Sequence, residues 1–222
     1  VKIILDQKKL DQQSQHWEAS FSSKPEMFGH EPSIAAVKAL KIFQKNNIKK
    51  ILELGAGLGR DTIYFAKNGI EVEALDYSNT AIASINRKRD ELKLDKLIET
   101  QLFDVRKKLP LHNEKFEGCF SHMLYCMALS NLDLQNLNDE ICRILKKGGI
   151  NIYTVRNTDD GDFKNGIHRG EDLYENDGFI VHFFSKEKIK KLSNGFENID
   201  IENFEEGSFP RKLFFVQNKK IY

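Results

Sequence analysis

The sequence predicts an α/β fold built on a parallel sheet, and two observations lead to this prediction. Short apolar segments alternate with segments of helical periodicity through the middle of the chain. Residues 51–61 change from an apolar run to glycines at every second position and then to a helical pattern, which is typical of a strand, a tight turn and a helix. Alternating strands and helices form βαβ units with right-handed crossovers, and such units require a parallel sheet.

Composition limits the possible classes of function. The 222 residues suit one α/β domain, and 34 Lys and Arg against 33 Asp and Glu give no excess charge for a nucleic acid or an acidic membrane surface. Cys119, Cys126 and Cys142 form no C-x-x-C pair, which favours a reducing compartment over disulfides or a zinc site. We expect a cytoplasmic protein, because no signal-peptide pattern and no apolar run of roughly 18 residues appear.

The predicted elements follow from periodicity, capping residues and breakers. Helices are predicted over residues 15–21, 33–46, 60–67, 78–85, 134–145 and 185–192. Strands are predicted over residues 51–54, 70–76, 98–103, 116–120 and 150–155, followed by a hairpin of 196–204 and 213–216 around a turn at 207–210. Residues 157–178 are rich in Gly, Asp and Asn without clear periodicity, which predicts a long functional loop.

The glycine spacing argues against two common nucleotide sites. The G-x-G-x-x-G fingerprint is not met, because the third glycine comes one residue early and Arg60 fills its place. The G-K-[ST] of a phosphate-binding P-loop is missing too. What remains is an acid, Glu53, two residues before a G-x-G-x-G turn. An acid there suits a ligand with cationic groups and no phosphate, such as S-adenosylmethionine with its sulfonium and ammonium groups.

Two more acids end the next two predicted strands. Asp76 follows an apolar alternation, and a carboxylate at that strand end can accept both hydroxyls of a ribose. Asp104 ends the following apolar segment and can accept from an adenine amino group. Together with Glu53 these are three acids at three successive strand ends, a much more specific pattern than the glycines alone.

With these motifs in place, residues 48–156 resemble the class I S-adenosylmethionine-dependent methyltransferases, with the motifs in the family's order. The matching segments are 51–61, 74–78, 102–105, 120–124 and 145–150, where a lysine replaces the usual proline before the glycines. Within the class, the chain looks most similar to small-molecule methyltransferases, including the thiopurine and tellurite-resistance types. The resemblance implies a Rossmann-like, seven-stranded, mostly parallel sheet with an antiparallel last strand and helices on both faces.

The resemblance also implies a division of the single domain. Residues 1–47 would form a helical lid, 48–156 the cofactor-binding core, and 157–222 an acceptor loop, a helix and the hairpin. Trp17, Phe21 and Phe28 would cover the cofactor, although the same aromatics could simply pack on the edge of the core. The residues expected to bind S-adenosylmethionine, and its product S-adenosylhomocysteine, are Trp17, Glu53, Gly55, Ala56, Gly57, Gly59, Arg60, Asp61, Asp76, Tyr77, Ser78, Asp104, Val105 and Ser121.

Methyl transfer is an in-line displacement in which the protein positions both partners and manages one proton. His122 is the first candidate for the proton, because it follows the fourth strand and an unperturbed imidazole titrates near neutrality. The alternative is a histidine that only shapes the pocket or binds the cofactor. Tyr125 is a second candidate, and Cys126 is not favoured as a nucleophile because free cysteines are mostly small buried apolar residues.

Polar residues of the predicted loop are candidates for acceptor recognition. Arg169 is the strongest candidate, since its guanidinium can form two parallel hydrogen bonds to a carboxylate or an oxyanion. Arg156 and Arg211 are secondary candidates of the same kind. His168, Asp172 and His182 could instead bind a metal, but their spacing matches no ligand motif, and we predict no metal. The remaining polar residues of the loop are Lys164, Glu171 and Tyr174.

The sequence therefore predicts a methyltransferase for a small-molecule acceptor, with no nucleic acid or membrane partner. Residues 121–124 lack the Asn or Asp, two prolines and aromatic that usually serve methylation of base amines, and the scattered cysteines do not suit arsenic. A thiol, oxyanion, hydroxyl or carboxylate acceptor stays open. The alternatives are a protein or RNA methyltransferase, and a catalytically silent module that binds the cofactor.

Overall fold

A computed structural model of the chain describes residues 5–207 and 211–222, without the side chains of 198 and 199. The helices of these residues are α1 Gln7–Asp11, α2 Gln13–Ser23, α3 Ile34–Lys45, α4 Arg60–Lys67, α5 Asn79–Glu91, α6 Asn131–Ile144 and α7 Lys186–Leu192. The strands are β1 Lys50–Leu54, β2 Glu71–Asp76, β3 Ile98–Leu102, β4 Phe116–Ser121, β5 Leu145–Arg156, β6 Ile167–Gly170, β7 Leu173–Asn176, β8 Phe179–His182, β9 Phe196–Glu206 and β10 Arg211–Lys220.

The main sheet confirms the predicted fold class. Its seven strands lie in the order β3-β2-β1-β4-β5-β10-β9. The neighbours from β3 to β5 are all parallel, and the last strand, β10, pairs antiparallel with both β5 and β9. The carboxyl ends of β1 to β5 consequently lie along one edge of the sheet, where open α/β sheets bind their ligands.

Helices cover both faces of this sheet, as predicted. Consecutive residues of a strand point to opposite faces, so that Ile51 packs with α3, α4 and α5 while Leu52 packs with α6 and α7. Phe43 and Phe65 are fully buried on the first face, and Ile141 is fully buried on the second. The two apolar layers hold the strand ends in fixed relative positions.

Serine caps begin four of the helices. The hydroxyls of Ser33, Ser78, Ser130 and Ser185 each accept a hydrogen bond from the backbone N–H three residues later. All four helices are predicted from the sequence, and so are three of the caps, at Ser33, Ser78 and Ser185. None of the described helices is long and apolar enough to cross a bilayer.

Three expectations need correction. The predicted loop at 157–178 is wrong in part, because β6, β7 and β8 form a separate antiparallel sheet. Its strands have only four residues each, which is too short to show a periodic pattern in the sequence. Residues with a left-handed backbone, such as Glu171 and Asp177, follow two of these strands. The strand predicted over 150–155 begins at Leu145, directly after α6, and helix α1 was not predicted. Residues 1–4 of the predicted lid and 208–210 of the predicted turn lie outside the described residues.

Candidate active site

The glycine turn joins β1 to α4 at the carboxyl edge of the sheet. Gly55, Gly57 and Gly59 all have positive φ, at 66°, 54° and 85°. The N–H groups of Gly55 and Ala56 donate to the Leu75 carbonyl at 2.8 and 3.2 Å, which fastens the turn to β2. The residues of the turn therefore need the left-handed conformations that glycine adopts without a steric penalty.

Two of these glycines have different reasons to lack a side chain. A Cβ at Gly59 would lie 2.5 Å from Cγ1 of Ile85, so this glycine allows α4 to pack against α5. A Cβ at Gly57 would have only the Phe21 ring nearby, at 3.7 Å. Gly59 thus serves packing, whereas Gly57 leaves an open backbone surface beneath the α2 aromatic.

Glu53 and Asp76 are buried carboxylates beside this turn. Glu53 is only 3% exposed, and its Oε2 has no hydrogen-bond partner in the described part of the chain. Burial and then the nearby charge of Asp61 raise the pKa of Glu53. Asp76 accepts from the N–H groups of Gly57 at 2.8 Å and Ser78 at 2.9 Å, yet burial raises its pKa. An unpartnered buried carboxylate oxygen is a site for a hydrogen-bonding or cationic ligand group.

Asp104 has a different environment from the other two acids. Arg106 binds it through both oxygens, with Nε 3.0 Å from Oδ1 and Nη2 2.6 Å from Oδ2. Burial alone would raise the pKa of Asp104, but Arg106 lowers it. Arg106 also bonds Asp11 at 2.5 Å. The structure thus presents Asp104 already paired to an arginine that the sequence analysis did not single out. Tyr77 lies near Asp76 and Asp104, and burial raises its pKa.

Asp61 and Arg60, expected at the cofactor, have structural partners. Both oxygens of Asp61 accept from Ser33, from its N–H at 2.7 Å and from its hydroxyl at 2.8 Å. These bonds fasten the start of α3 to α4, so both carboxylate oxygens of Asp61 already have partners within the fold. Arg60 donates to the Phe28 carbonyl at 2.9 Å and lies 3.9 Å from Glu206.

Helix α2 lies over the glycine turn and the start of α5. Trp17 and Phe21 have ring centroids 5.3 Å apart, and Phe28 lies 6.2 Å from Phe21. Glu18 accepts from the hydroxyls of Ser78 at 2.6 Å and Thr80 at 2.5 Å. The aromatics therefore pack on the edge of the core and cover the turn at the same time.

Ser121 and Val105 complete the predicted cofactor set. Ser121 ends β4, is fully buried, and its hydroxyl has no partner in the described part of the chain. Val105 is buried in the larger apolar cluster, on the same side as Leu54 and Leu75. Ser121 therefore adds a second unpartnered polar atom to the edge that holds Glu53.

His122 is held at both ring nitrogens. Its Nδ1 lies 2.9 Å from the hydroxyl of Thr154 on β5, and its Nε2 lies 3.0 Å from Oε2 of Glu206 at the end of β9. Burial alone would raise the pKa of Glu206, but His122 and Arg60 lower it. Sequence analysis missed Glu206, because it belongs to no motif and meets His122 only through the fold of the hairpin.

Tyr125 and Cys126 lie in the core. Tyr125 stacks on Tyr153 at 4.2 Å and is 3.4 Å from the amide nitrogen of Asn151, and burial raises its pKa far above the usual value. Tyr125 is only 1% exposed, so its hydroxyl is a poor candidate for the proton of an acceptor. Burial raises the pKa of Cys126 to about 11, which keeps its thiol protonated at neutral pH.

The charged residues that follow β5 are paired with one another. Arg169, expected to recognise the acceptor, bonds Glu175 at 2.6 Å. Arg156 bonds Asp160 at 3.1 Å and Asp162 at 2.6 Å. Arginines already neutralised by carboxylates are poor candidates for an anionic acceptor.

The three residues considered for a metal make separate contacts. His168 stacks on Tyr174, and the fully buried His182 lies 2.7 Å from the Leu129 carbonyl. Asp172 pairs with Lys188 at 2.9 Å, and Lys188 also contacts His182. Within residues 5–207 and 211–222, no cluster of His, Cys, Asp or Glu is arranged to hold a metal ion.

Comparisons with known proteins bear on this geometry. Residues 51–149 match a family model described as a methyltransferase domain. The matched residues are similar to methyltransferase domains, and the sheet that contains them has the class I methyltransferase fold. No curated protein matches it in sequence. The glycine turn, Asp76 and Asp104 all lie within the matched segment, at the strand ends of the methyltransferase fold.

Solved structures show the same fold at low sequence identity. The 1,6-didemethyltoxoflavin-N1-methyltransferase of Burkholderia thailandensis, solved with bound 1,6-didemethyltoxoflavin and S-adenosylhomocysteine, is 16% identical with a TM-score of 0.79. The match covers 100% of this chain and 93% of that one. TehB from Haemophilus influenzae is 19% identical with a TM-score of 0.67, and the match covers 92% of this chain and 67% of TehB. The [4+2]-cyclase SpnF is 13% identical with a TM-score of 0.72, covering 96% and 97%. The cyclase shows that this fold alone does not determine the reaction.

Proposed function

We propose that this methyltransferase domain transfers the methyl group of S-adenosylmethionine to a small-molecule acceptor by direct in-line displacement. The observation that carries the proposal is the pair of buried carboxylates beside the glycine turn, Glu53 and Asp76, which have no cationic partner among the described residues. A buried acid without a counter-ion costs stability, and a bound cation or hydroxyl group would offset that cost. S-adenosylmethionine offers both kinds of group.

The residues at the strand ends fit the parts of the cofactor. Asp76 would accept from the ribose hydroxyls, and Glu53 would face the cationic amino acid end. Tyr77 and Val105 would border the adenine, with Asp104 at its amino group. The bound cofactor supplies a methyl carbon activated by the sulfonium. Among the remaining expected residues, Gly57 would let the cofactor approach the backbone closely, whereas Gly59 and Asp61 would support the turn from behind.

The lid and the region after β5 have separate tasks in this proposal. Helix α2, with Trp17 and Phe21, would exclude water from the reacting atoms. Residues 157–222 would border the acceptor, and the contact of His122 with Glu206 would handle its proton. Low-identity neighbours that include the toxoflavin enzyme support a small acceptor, and the formal net charge of +1 does not favour a large polyanion. The free cysteines support a reducing, cytoplasmic location.

Thermal unfolding with S-adenosylmethionine, S-adenosylhomocysteine, NAD and ATP in parallel tests the cofactor. A ligand that binds only the folded state raises the midpoint, and we expect this for the two adenosyl sulfur compounds alone. Equal midpoints with and without them would contradict the proposal.

Incubation of methyl-labelled S-adenosylmethionine with a lysate tests the acceptor. We expect label in the low-molecular-weight fraction. Label in protein or RNA would replace the small acceptor by a macromolecule, and binding without any transfer would indicate a silent cofactor-binding module.

A further inference from the structure

The protonation state of His122 follows from the hydrogen bonds of Thr154. The Thr154 hydroxyl is fully buried and accepts the N–H of Met123 at 2.9 Å. Its single hydrogen has one acceptor among the described residues, Nδ1 of His122 at 2.9 Å. If Nδ1 carried a proton, the buried hydroxyl hydrogen would have no acceptor. Nδ1 is therefore unprotonated, and in the neutral imidazole the proton lies on Nε2.

The contact at the other ring nitrogen requires the same tautomer. Nε2 of His122 lies 3.0 Å from Oε2 of Glu206. His122 and Arg60 keep the pKa of Glu206 low despite its burial, so its carboxylate is ionised at neutral pH. An unprotonated Nε2 would direct its lone pair at a carboxylate oxygen, whereas an Nε2–H donates to it. His122 is thus a donor at its outer nitrogen, and its basic nitrogen faces the sheet.

Beside His122, the carboxylate of Glu206 is the described group whose lone pairs can accept a proton. Its side chain is 22% exposed, and its other oxygen, Oε1, lies 3.9 Å from Arg60. Arg60 directly follows the glycine turn and contacts Phe28, so Glu206 lies close to both the turn and the lid. We propose that Glu206, and not His122, takes the proton of the acceptor, and that the acceptor is a neutral nitrogen nucleophile bearing a hydrogen.

The chemistry of the transfer agrees with this assignment, which rests on the proposed function. The acceptor nitrogen forms a bond to the methyl carbon with its lone pair, while the carbon–sulfur bond breaks and its electron pair stays on sulfur. The nitrogen then carries positive charge. Where it is conjugated with a ring, its N–H is acidic enough to pass the proton to the carboxylate of Glu206. Glu206 also stabilises that developing charge. A carboxylate, thiolate or oxyanion acceptor would need no base and would be repelled by Glu206.

His122 acts through Glu206 in this account and is a positioning residue. Its Nε2–H fixes one carboxylate oxygen, and Thr154 fixes the imidazole in turn. The proton that reaches Glu206 can leave to solvent through the exposed part of the side chain. The assignment therefore replaces the acceptor classes that the sequence left open, a thiol, oxyanion, hydroxyl or carboxylate, with a neutral nitrogen conjugated with a ring.

Long-range ¹H–¹⁵N correlation spectra of the histidine rings test the tautomer without any acceptor. In the full chain at pH 7 we expect His122 to carry its proton on Nε2. His182 is an internal reference with the opposite pattern, because its Nδ1 must donate to the Leu129 carbonyl at 2.7 Å. A proton on Nδ1 of His122 would make Nε2 the free base and overturn the proposal.

Binding of two small ions tests the charge preference of the site. In the presence of S-adenosylhomocysteine, N-methylpyridinium imitates the methylated cationic nitrogen and benzoate is its anionic counterpart. We expect Glu206→Gln to weaken N-methylpyridinium at least about fivefold and to strengthen benzoate. Glu205→Gln removes the same charge from an exposed neighbour on β9 and is the matched control. Equal binding by Glu206→Gln and Glu205→Gln, or no saturable binding of the cation, would contradict the proposal.

Variants of His122 separate positioning from a merely structural role. His122→Ala removes the donor to Glu206 and should weaken N-methylpyridinium, whereas His122→Gln supplies an amide N–H and should restore much of the loss. Equal losses in both variants would contradict the positioning role. Titration with S-adenosylhomocysteine alone comes first, and a failure to bind it would show that the cofactor assignment is wrong. The tautomer of His122 is measured without any ligand, so the role of Glu206 is tested independently of the cofactor.

Discussion

Two groups of charged residues differ in how their charges are satisfied. At the strand ends, Glu53 and Asp76 are buried with backbone N–H partners or none, and burial raises the pKa of both. After β5, Arg156 pairs with Asp160 and Asp162, and its pKa is raised by these acids against the effect of burial. Arg169 and Lys188 are paired as well.

This difference separates charged residues that stabilise the fold from charged residues that are available to bind a ligand. A buried ion pair strongly resists the loss of one partner, because the other would be left uncompensated. A buried carboxylate without a counter-ion lowers stability until something binds it. Both groups contain carboxylates, and the partners of these carboxylates distinguish them. Four changes test this comparison, from the largest expected effect to the smallest.

Asp160→Ala should cost the most stability. The Asp160 side chain is 2% exposed and Arg156 is 7% exposed, so the change leaves a buried guanidinium with Asp162 alone. We expect the free energy of unfolding in urea to fall by about 3–5 kcal/mol, with no change in affinity for S-adenosylhomocysteine. Asp159→Ala, at an exposed neighbouring position, is the control. A loss below about 1 kcal/mol would show that the pair contributes little.

Acid should destabilise the protein through His182. Burial and then Lys188 lower the pKa of His182 to about 3, from an ordinary value of 6.5. The unfolded chain binds this proton below pH 6.5 and the folded chain does not, so stability falls as the pH drops. The loss should be about 2 kcal/mol at pH 5.

The variant His182→Asn provides the control for that pH dependence. Its side-chain amide can still donate to the Leu129 carbonyl, but it does not titrate. Unfolding in urea at pH 7 and pH 5 should show a smaller drop in stability for the variant than for the natural chain. Equal drops would place the acid sensitivity elsewhere.

Glu53→Gln should stabilise the unliganded protein and weaken the cofactor. Burial raises the pKa of the folded carboxyl, so the charged form costs stability above that pKa and the cost disappears as the pH falls through it. Removing the charge should raise the free energy of unfolding by about 1 kcal/mol at pH 7. Glu71→Gln at an exposed position of β2 should change it by less than about 0.5 kcal/mol. If Glu53→Gln were less stable than the natural chain, the charge of Glu53 would stabilise the fold, which would contradict this prediction.

Glu18→Gln should have the smallest effect. Glu18 joins the lid to the start of α5 through Ser78 and Thr80, and the hydrogen bonds from these hydroxyls lower its pKa. Weakening this contact should reduce affinity for S-adenosylhomocysteine less than about fivefold, since the contact is partly exposed. Calorimetric titration measures it against Glu26→Gln, an exposed residue of the lid. A loss above tenfold would give Glu18 a direct role at the cofactor.

The sequence predicts the parts of this fold that depend on local signals. The glycine turn and the helix begun by Ser33 are encoded within a few residues each, and the parallel sheet follows from the alternation of strands and helices. The sheet of β6 to β8 was missed because four-residue strands between turns have no measurable period.

Partners distant in the chain escape prediction for another reason. Glu206 reaches His122 only because β9 and β10 fold back along β5, and no local pattern of residues marks it. In the same way, the pairing of Arg169 with Glu175 depends on a hairpin that the sequence did not reveal. Charge alone suggested that Arg169 binds an acceptor, and the fold shows it bound to a carboxylate.

The most direct test is calorimetric titration of S-adenosylhomocysteine into the natural chain and into Asp76→Asn. Asp76 is 5% exposed and bonds only backbone N–H groups of the described residues, so the substitution keeps its shape and removes its charge. We predict an affinity lower by about 10- to 100-fold, corresponding to a lost hydrogen bond to a charged group. Unchanged affinity with a less stable fold would mean that Asp76 serves the turn alone, and would contradict the account of the strand-end acids.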